Sequence, residues 1–152
     1  ADAGRKVRED RMATSVFKLD ERLEGDSLPV CELPLCTVRL MRDARFPWLL
    51  LVPRRPGASE IIDLDEADRE TLMREIALAS HALRDGLEIC DKINVGSLGN
   101  MVPQLHVHVI ARVVGDSACP GPVWGSGVAE PWARGKGEAL ARTLASRLKS
   151  PA

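Results

Sequence analysis

Residues 104–112 read Gln-Leu-His-Val-His-Val-Ile-Ala-Arg, and polar and apolar residues alternate from Gln104 to Val109. A period of two is typical of a β-strand that packs one face against a core. Such a strand directs Gln104, His106 and His108 to the opposite face. The whole chain contains 3 histidines, so a row with two of them indicates nucleophilic or metal chemistry at this face.

The composition is typical of one ordinary globular domain. The chain has 152 residues, of which 45% are hydrophobic and 28% charged, and its formal net charge is -1. This balance gives no electrostatic argument for nucleic acid or an anionic membrane surface as a partner. Aromatic residues, which single-stranded nucleic-acid binders use for stacking, make up 3% of the chain. We therefore expect neither nucleic acid nor a membrane as a partner.

The cysteine pattern and the first residues bear on compartment and domain organisation. The 4 cysteines include no C-x-x-C pair, and the sequence has neither a secretory signal nor an apolar run long enough to span a bilayer. We therefore predict a cytoplasmic protein with free thiols. Residues 1–15 are expected to be a disordered leader or tag-like segment. Residues 16–152 are expected to form a single domain with a C-terminal extension and helix.

Hydrophobic periodicity predicts an α+β domain. The expected helices cover residues 16–24, 64–85 and 136–149, and the expected strands cover 36–41, 48–52, 88–95 and the histidine strand at 104–112. Asp63 is expected to cap the long helix, and the Gly and Pro content of residues 119–125 predicts an irregular segment. The element order favours an antiparallel sheet with helices packed on one side.

Two interpretations of the histidine strand do not need nucleophilic chemistry. In the first, His106 and His108 are polar residues on a solvated strand face. In the second, they bind Zn²⁺, since two imidazoles two residues apart on a strand can share a metal. That site needs a third ligand, for which the candidates are His81, Cys90 and Asp91, although nothing in their spacing demands it.

A third interpretation makes histidine a nucleophile toward phosphorus. A neutral imidazole attacks a phosphoryl group when one ring nitrogen is bare and the other is held as a donor, while a neighbouring imidazole contacts the phosphate oxygens. Small polar residues and glycines of the preceding loop would supply further donors to the anion. These candidates are Asn94, Gly96, Ser97, Gly99 and Asn100.

The same part of the chain resembles a known family. Residues 94–112, which begin Asn-Val-Gly-Ser-Leu-Gly-Asn and end His-Val-His-Val-Ile-Ala-Arg, resemble the signature of the histidine triad (HIT) proteins. That signature is His-φ-His-φ-His-φ-φ, with φ an apolar residue, preceded by a strand with Asn and a glycine-containing phosphate loop. Residues 48–55, Trp-Leu-Leu-Leu-Val-Pro-Arg-Arg, resemble the family's strand that ends in Pro and a basic pair. The similarity covers most of residues 16–112 in family order.

The resemblance implies a HIT-like five-stranded antiparallel sheet with helices, a homodimer, and a small-molecule nucleotide bound at the histidine strand without a cofactor. Members hydrolyse or transfer nucleotidyl groups of dinucleoside polyphosphates and nucleoside phosphoramidates through a covalent nucleotidyl-histidine. By position in the motif, His106 is the nucleophile and His108 contacts the phosphate. Asn94 and Asn100 would lie against the phosphates. Asp43 would hold ribose hydroxyls or simply start a turn.

Two positions depart from the family pattern. Gln104 occupies the first histidine position of the triad, where an amide can orient a neighbour but cannot deliver a proton to a leaving group. Trp48 stands where some branches carry a histidine. We therefore predict a nucleotide hydrolase or nucleotidyl transferase that prefers good leaving groups. A non-catalytic nucleotide-binding module is the leading alternative, and a metal-dependent hydrolase is the third. Trp124 either lines the nucleotide pocket or packs in the fold.

Overall fold

Five antiparallel strands form one sheet in this computed structural model, which describes residues 16–149. The strands are β1 (Ser27–Glu32), β2 (Cys36–Met41), β3 (Trp48–Pro53), β4 (Lys92–Gly96) and β5 (Val107–Arg112), and their order across the sheet is β1-β2-β3-β5-β4. The predicted α+β class with a five-stranded antiparallel sheet is therefore confirmed. The expected leader at residues 1–15 lies outside the described residues.

The register of the sheet places His108 at its centre. In β3 and β5, Leu50 pairs with His108 and Trp48 pairs with Ile110. On the other side of β5, Gly96 of β4 pairs with His108. Paired residues of antiparallel strands project to the same face, so His108 lies between Leu50 and Gly96 on that face. Trp48, two residues before Leu50 on β3, projects from the same face.

Two long helices cover the opposite face of the sheet. They are α2 (Glu66–Gly86) and α3 (Lys136–Lys149), which contribute Leu72, Ala79, Leu83, Ala141 and Leu144 to a core with Val107 and Val109 of β5. Inward residues of β5 thus alternate with the site-facing ones, as the period of two predicts. No helix among residues 16–149 has the length and apolar character needed to cross a membrane.

The site face carries its own smaller apolar cluster. Its buried members are Leu23, Phe46, Trp48, Leu50, Val52, Ile110 and Val123, and Phe17, Leu19 and Trp124 pack against them. Leu23 belongs to α1 (Glu21–Gly25), a short helix that begins after Asp20, whose carboxylate accepts from the backbone N–H of Arg22. Two segments that are far apart in sequence, residues 17–23 and residues 118–124, therefore both pack beside the histidine strand.

Several predicted element bounds are wrong. The helix expected over residues 16–24 starts at Glu21, because residues 16–20 have no regular secondary structure and Asp20 caps the helix. The long helix starts at Glu66, with Asp65 rather than Asp63 as its cap. Asp63 ends a 3₁₀ turn and its carboxylate accepts from the backbone N–H groups of Ser59 and Glu60.

Strand predictions erred in a related way. The strand expected over 88–95 covers Lys92–Gly96, and the histidine strand starts at Val107 rather than at Gln104. Strand β1 has no counterpart among the predicted elements. It is an edge strand with Pro29 inside it, and its pairing with β2 is shifted between Pro29 and Cys31. Proline and a bulge at an edge mask the alternation that marks a regular strand.

Candidate active site

His106 is fixed in one tautomer by a backbone carbonyl. Its Nδ1 lies 2.7 Å from the carbonyl oxygen of Gln104. A carbonyl oxygen can only accept, so Nδ1 carries the proton and donates it. In the neutral ring Nε2 is then bare, and it has no partner among residues 16–149. The backbone carbonyl of His106 accepts from the hydroxyl of Ser97 at 3.0 Å, which ties the loop after β4 to the same residue.

His108 is fixed in the other tautomer by an indole. The Nε1–H of Trp48 donates to Nδ1 of His108 at 2.9 Å. An indole nitrogen can only donate, so Nδ1 of His108 is the bare nitrogen and the proton of the neutral ring is on Nε2. Burial, together with the charge of the neighbouring His106, lowers the pKa of His108 to about 4. His108 is therefore neutral near pH 7 and offers Nε2–H as a donor.

The two rings line one cavity of about 650 Å³. Their centroids are 4.9 Å apart and the rings lie nearly edge to face. The wall around them is largely apolar and includes Leu23, Met41, Leu50, Leu98, Val102, Val123 and Trp124, with polar positions at Asp26, Arg42, Asn100 and Ser126. A bare nitrogen beside an N–H donor, at the base of an apolar cavity, suits attack on a phosphoryl group whose oxygens need a donor.

Gln104 does not join the two histidines at the cavity. Its side-chain Oε1 accepts from the backbone N–H of Asp20 at 2.8 Å, and its Nε2 donates to the carbonyl of Lys18 at 2.8 Å. Gln104, like His106, precedes β5, but unlike His106 it does not line the cavity. The chain leaves the strand geometry before Val107, and the amide finds backbone partners in the N-terminal segment instead.

Asn94 lies on the site face but outside the cavity wall. Its side-chain oxygen accepts from Nη1 of Arg112 at 2.9 Å, and Arg112 also forms a two-nitrogen ion pair with Asp116. The pKa of Asp116 lies well below its usual range because of the hydrogen bonds from Arg112 and from backbone N–H groups. Asn94 pairs with Ile110, whereas the cavity residue His108 pairs with Gly96, two residues further along β4.

Three further predicted residues, Gly99, Asn100 and Asp43, border the cavity. Gly99 and Asn100 line the cavity, and Gly99 adopts a left-handed φ of 71° that favours glycine. Asp43 also borders the cavity but its carboxylate is occupied. It accepts from Arg45 through both oxygens and from the backbone N–H of Glu130. The backbone N–H of Arg45 also donates to this carboxylate, as in a turn, and a role of Asp43 toward ribose hydroxyls stays a prediction.

Trp124 is a cavity residue whose neighbours the sequence could not reveal. Its ring meets those of His108 and Trp48 edge-on, at centroid distances of 5.3 and 6.5 Å. A Cβ at Gly96 would stand 2.8 Å from the indole, so only glycine leaves room for this ring. The Trp124 Nε1–H is buried and has no hydrogen-bond partner among the described residues. Both Trp48 and Trp124 thus contact the His108 ring. Trp48 donates a hydrogen bond to it, whereas Trp124 does not.

The metal interpretation lacks a ligand set in the described part of the chain. Residues 16–149 contain no group of three His, Cys, Asp or Glu side chains arranged to hold a metal ion. His81, one candidate for the third ligand, is on α2 beside Arg84 and Asp85. The Nδ1 atoms of His106 and His108 are both occupied by hydrogen bonds within the protein.

Comparisons with known proteins agree with this geometry. The HIT domain family model matches residues 22–114. A histidine triad protein from Bradyrhizobium japonicum is 46% identical and covers 88% of this chain and 99% of its own, with a TM-score of 0.85. Those from Sinorhizobium meliloti 1021 (49% identity, 91% and 97% covered, TM-score 0.79) and Marinobacter aquaeolei VT8 (40%, 89% and 98%, 0.85) are similar. No curated protein matches the chain.

The chain belongs to the HIT family. Family members bind nucleotides and are generally nucleotide hydrolases or transferases. The matched segment contains both cavity histidines and the loop before them, so the family match and the cavity coincide in one region.

Proposed function

We propose that this protein is a nucleotide hydrolase or nucleotidyl transferase that acts on nucleoside phosphate conjugates or dinucleoside polyphosphates through a nucleotidyl-His106 intermediate. The observation that carries the proposal is the hydrogen bond from His106 Nδ1 to the Gln104 carbonyl. It leaves Nε2 as the bare nitrogen of a ring that lines the cavity. A nucleophile of this kind needs its lone pair directed at the reacting phosphorus.

The proposed reaction has two steps. The Nε2 lone pair of His106 forms a bond to the phosphorus, and the bond from phosphorus to the leaving oxygen or nitrogen breaks with its electron pair on the leaving group. The oxygen of water or of another acceptor then bonds to the phosphorus, and the N–P bond breaks with its electron pair on Nε2. The proton that the acceptor loses passes to solvent, which supplies the proton that the leaving group takes up. The carbonyl of Gln104 stabilises the positive imidazole of the intermediate through Nδ1–H.

His108 has the complementary role in this proposal. Its Nε2–H donates to a non-bridging phosphate oxygen, where charge develops in the transition state. The backbone near Gly99 and the side chain of Asn100 border the same cavity and would bind further phosphate oxygens. Asn94 does not line the cavity and would have an indirect role, through its hydrogen bond with Arg112.

The test is a single-turnover reaction stopped with base, which preserves a phosphoramidate bond to histidine. Purified protein is mixed with an adenylyl phosphoramidate or a dinucleoside polyphosphate, and the protein mass is measured intact and after peptide mapping. We expect one nucleotidyl group on His106. Nucleotide hydrolysis without a labelled His106, under conditions where the intermediate accumulates for related substrates, would contradict the mechanism.

A nucleotide-binding module without turnover is the second candidate. It is favoured by the position of Gln104, whose amide is bound to the backbone of Lys18 and Asp20 and delivers no proton to a leaving group. Calorimetric binding of a nucleoside monophosphate, combined with no covalent intermediate and no product across the substrate panel, would select this candidate.

We also propose that the protein forms a homodimer through the free edge of the sheet. Strand β4 is the last in the order β1-β2-β3-β5-β4, so its outer backbone groups have no strand partner among residues 16–149. Val95 on that strand is 49% exposed. Unpaired edges of this kind associate readily. Light scattering at micromolar concentration should give about twice the chain mass of 16.6 kDa, and a monomer would contradict the proposal.

A further inference from the structure

Residues 17–26, here termed the N-terminal strap, form part of the cavity wall. Leu23, Gly25 and Asp26 line the cavity, and Leu23 is buried in the site-face cluster. The strap begins with Phe17 and Leu19, which pack against the same cluster. Its position therefore decides the shape of one side of the site.

Gln104 fastens this strap with both ends of its amide. Oε1 accepts from the N–H of Asp20 and Nε2 donates to the carbonyl of Lys18, each at 2.8 Å. The two backbone groups belong to residues two apart in sequence, and both reach the same amide. A primary amide presents an acceptor and a donor side by side, which matches this N–H group and this carbonyl. An imidazole has its two nitrogens directed apart and cannot satisfy both groups.

The same residue holds the proposed nucleophile. The backbone carbonyl of Gln104 accepts from Nδ1 of His106 at 2.7 Å. One residue therefore connects the strap, through its side chain, with the reacting imidazole, through its backbone. A second connection joins the strap to the loop before Gln104, since the Arg22 guanidinium donates to the carbonyl of Met101 at 3.1 Å.

The strap also carries a cavity carboxylate with a free hydrogen-bonding capacity. Asp26 is an exposed residue at the cavity, and its carboxylate has no hydrogen bond or ion pair among the described residues. The other carboxylate at the cavity, Asp43, is occupied by Arg45 and Glu130. A polar group of a ligand on this side of the cavity would therefore meet a carboxylate that belongs to the strap.

We propose that Gln104 is a positioning residue that docks the N-terminal strap against the cavity and so sets nucleotide affinity, with no contact to the leaving group. The inference rests on the proposed function for the identity of the ligand. The first triad position in this chain thus contributes to binding through the strap, while the chemical step belongs to His106 and His108.

The experiment compares Gln104→Met and Gln104→Glu with the unaltered protein. Methionine has a similar length without either polar end, and glutamate keeps an acceptor for the Asp20 N–H but sets a carboxylate against the Lys18 carbonyl. We expect hydrogen exchange at residues 18–20 to accelerate in both variants. Loss of both hydrogen bonds in Gln104→Met should raise the Kd for a nucleoside monophosphate about 10-fold, and loss of the bond to Lys18 in Gln104→Glu should also raise it.

Two substrates with the same nucleoside but leaving groups of different pKa separate this role from catalysis. At saturating substrate, the single-turnover rates of both variants should stay within about 3-fold of the unaltered protein, by the same factor for either leaving group. A loss that grows as the leaving group becomes poorer would overturn the proposal, because it would place Gln104 at the leaving group.

Lys18→Ala is the matched control. It removes a side chain of the strap that is 83% exposed, but leaves the backbone carbonyl that Gln104 binds. Exchange at residues 18–20 and the Kd should be unchanged in this variant. Unchanged exchange and Kd in Gln104→Met would equally overturn the proposal. Both readouts need no turnover, so they test it even if the covalent mechanism fails.

Discussion

His106 and His108 lie two residues apart and line one cavity, yet they are held in opposite tautomers. His106 donates from Nδ1 to the carbonyl of Gln104, whereas His108 accepts at Nδ1 from the indole of Trp48. The first ring therefore offers a lone pair at Nε2 and the second offers a proton at Nε2. Two identical side chains acquire different chemistry from the partner of the other ring nitrogen.

The comparison shows that the partners, and not the repeat of histidine itself, assign the roles. The partner of His106 is two residues upstream, and the partner of His108 is 60 residues away on β3. Nucleophile and oxyanion donor should therefore respond differently to substitution, to pH and to loss of the partner.

Replacement of His106 should have the largest effect on activity. In His106→Asn the covalent route is lost, so kcat should fall by about 10³-fold or more. Nucleotide binding should remain measurable, because the cavity and the His108 donor persist. Single-turnover labelling and calorimetry with a nucleoside monophosphate check both halves of the prediction. Turnover near the unaltered level would show that another group attacks the phosphorus.

The depressed pKa of His108 should appear in the pH dependence of stability. The pKa is about 4 in the folded protein and about 6.5 in an unfolded chain. Between these values the unfolded state binds the extra proton, so stability is complete above about pH 6.5 and falls as the pH drops toward 4. The free energy of unfolding should decrease by up to about 3 kcal/mol across this window from this residue alone.

Denaturant titrations from pH 4 to 7 measure this dependence, and two variants isolate it. In His108→Phe the slope from the residue disappears, while carboxylates elsewhere still contribute to both proteins. His81→Ala, at a helix position where the histidine side chain is 62% exposed, should retain the slope. Equal slopes in His108→Phe and the unaltered protein would mean that His108 is not neutral in the fold.

His108 itself should affect the rate less than His106. His108→Phe removes the Nε2–H donor, and loss of one oxyanion donor typically costs about 10²-fold in kcat. His108→Gln retains an amide donor and should lose less. The His106 intermediate should still form in both variants, which intact-protein mass spectrometry detects. Complete loss of labelling in His108→Gln, with the fold intact by circular dichroism, would contradict a purely stabilising role.

The cavity-facing positions of the two histidines and most of the helices and strands could be predicted from the sequence, because they depend on local periodicity. The alternation around His106 and His108 predicts which side faces the cavity, and Gly99 and Asn100 follow from the composition of the loop. The long helices and most strands are also visible as hydrophobic patterns. Strand β1 is not, because Pro29 and the shifted pairing next to it interrupt the alternation.

The hydrogen-bond partners could not be predicted, because they come from distant parts of the chain. Gln104 meets Lys18 and Asp20 across more than 80 residues of sequence. Trp48 reaches His108 through the register of β3 and β5, which a sequence does not state. The one sequence signal for Trp124 is Gly96, since a glycine inside a strand indicates close approach of another group.

The smallest expected effect comes from the two tryptophans that contact His108. Trp48→Phe removes the N–H that occupies Nδ1 of His108, so the ring loses its fixed tautomer and its orientation, and kcat/KM should fall about 10-fold. Trp124→Phe makes the same change of side chain on a ring that also meets His108 edge-on. Its indole N–H has no partner among residues 16–149, so no hydrogen bond to His108 is lost. The ¹⁵N chemical shifts of the His108 ring distinguish a bare nitrogen from a protonated one and check the prediction directly. They should move in Trp48→Phe and stay in place in Trp124→Phe. If both variants shift them equally, ring packing rather than the indole donor holds His108, and the assignment of opposite tautomers to the two histidines fails.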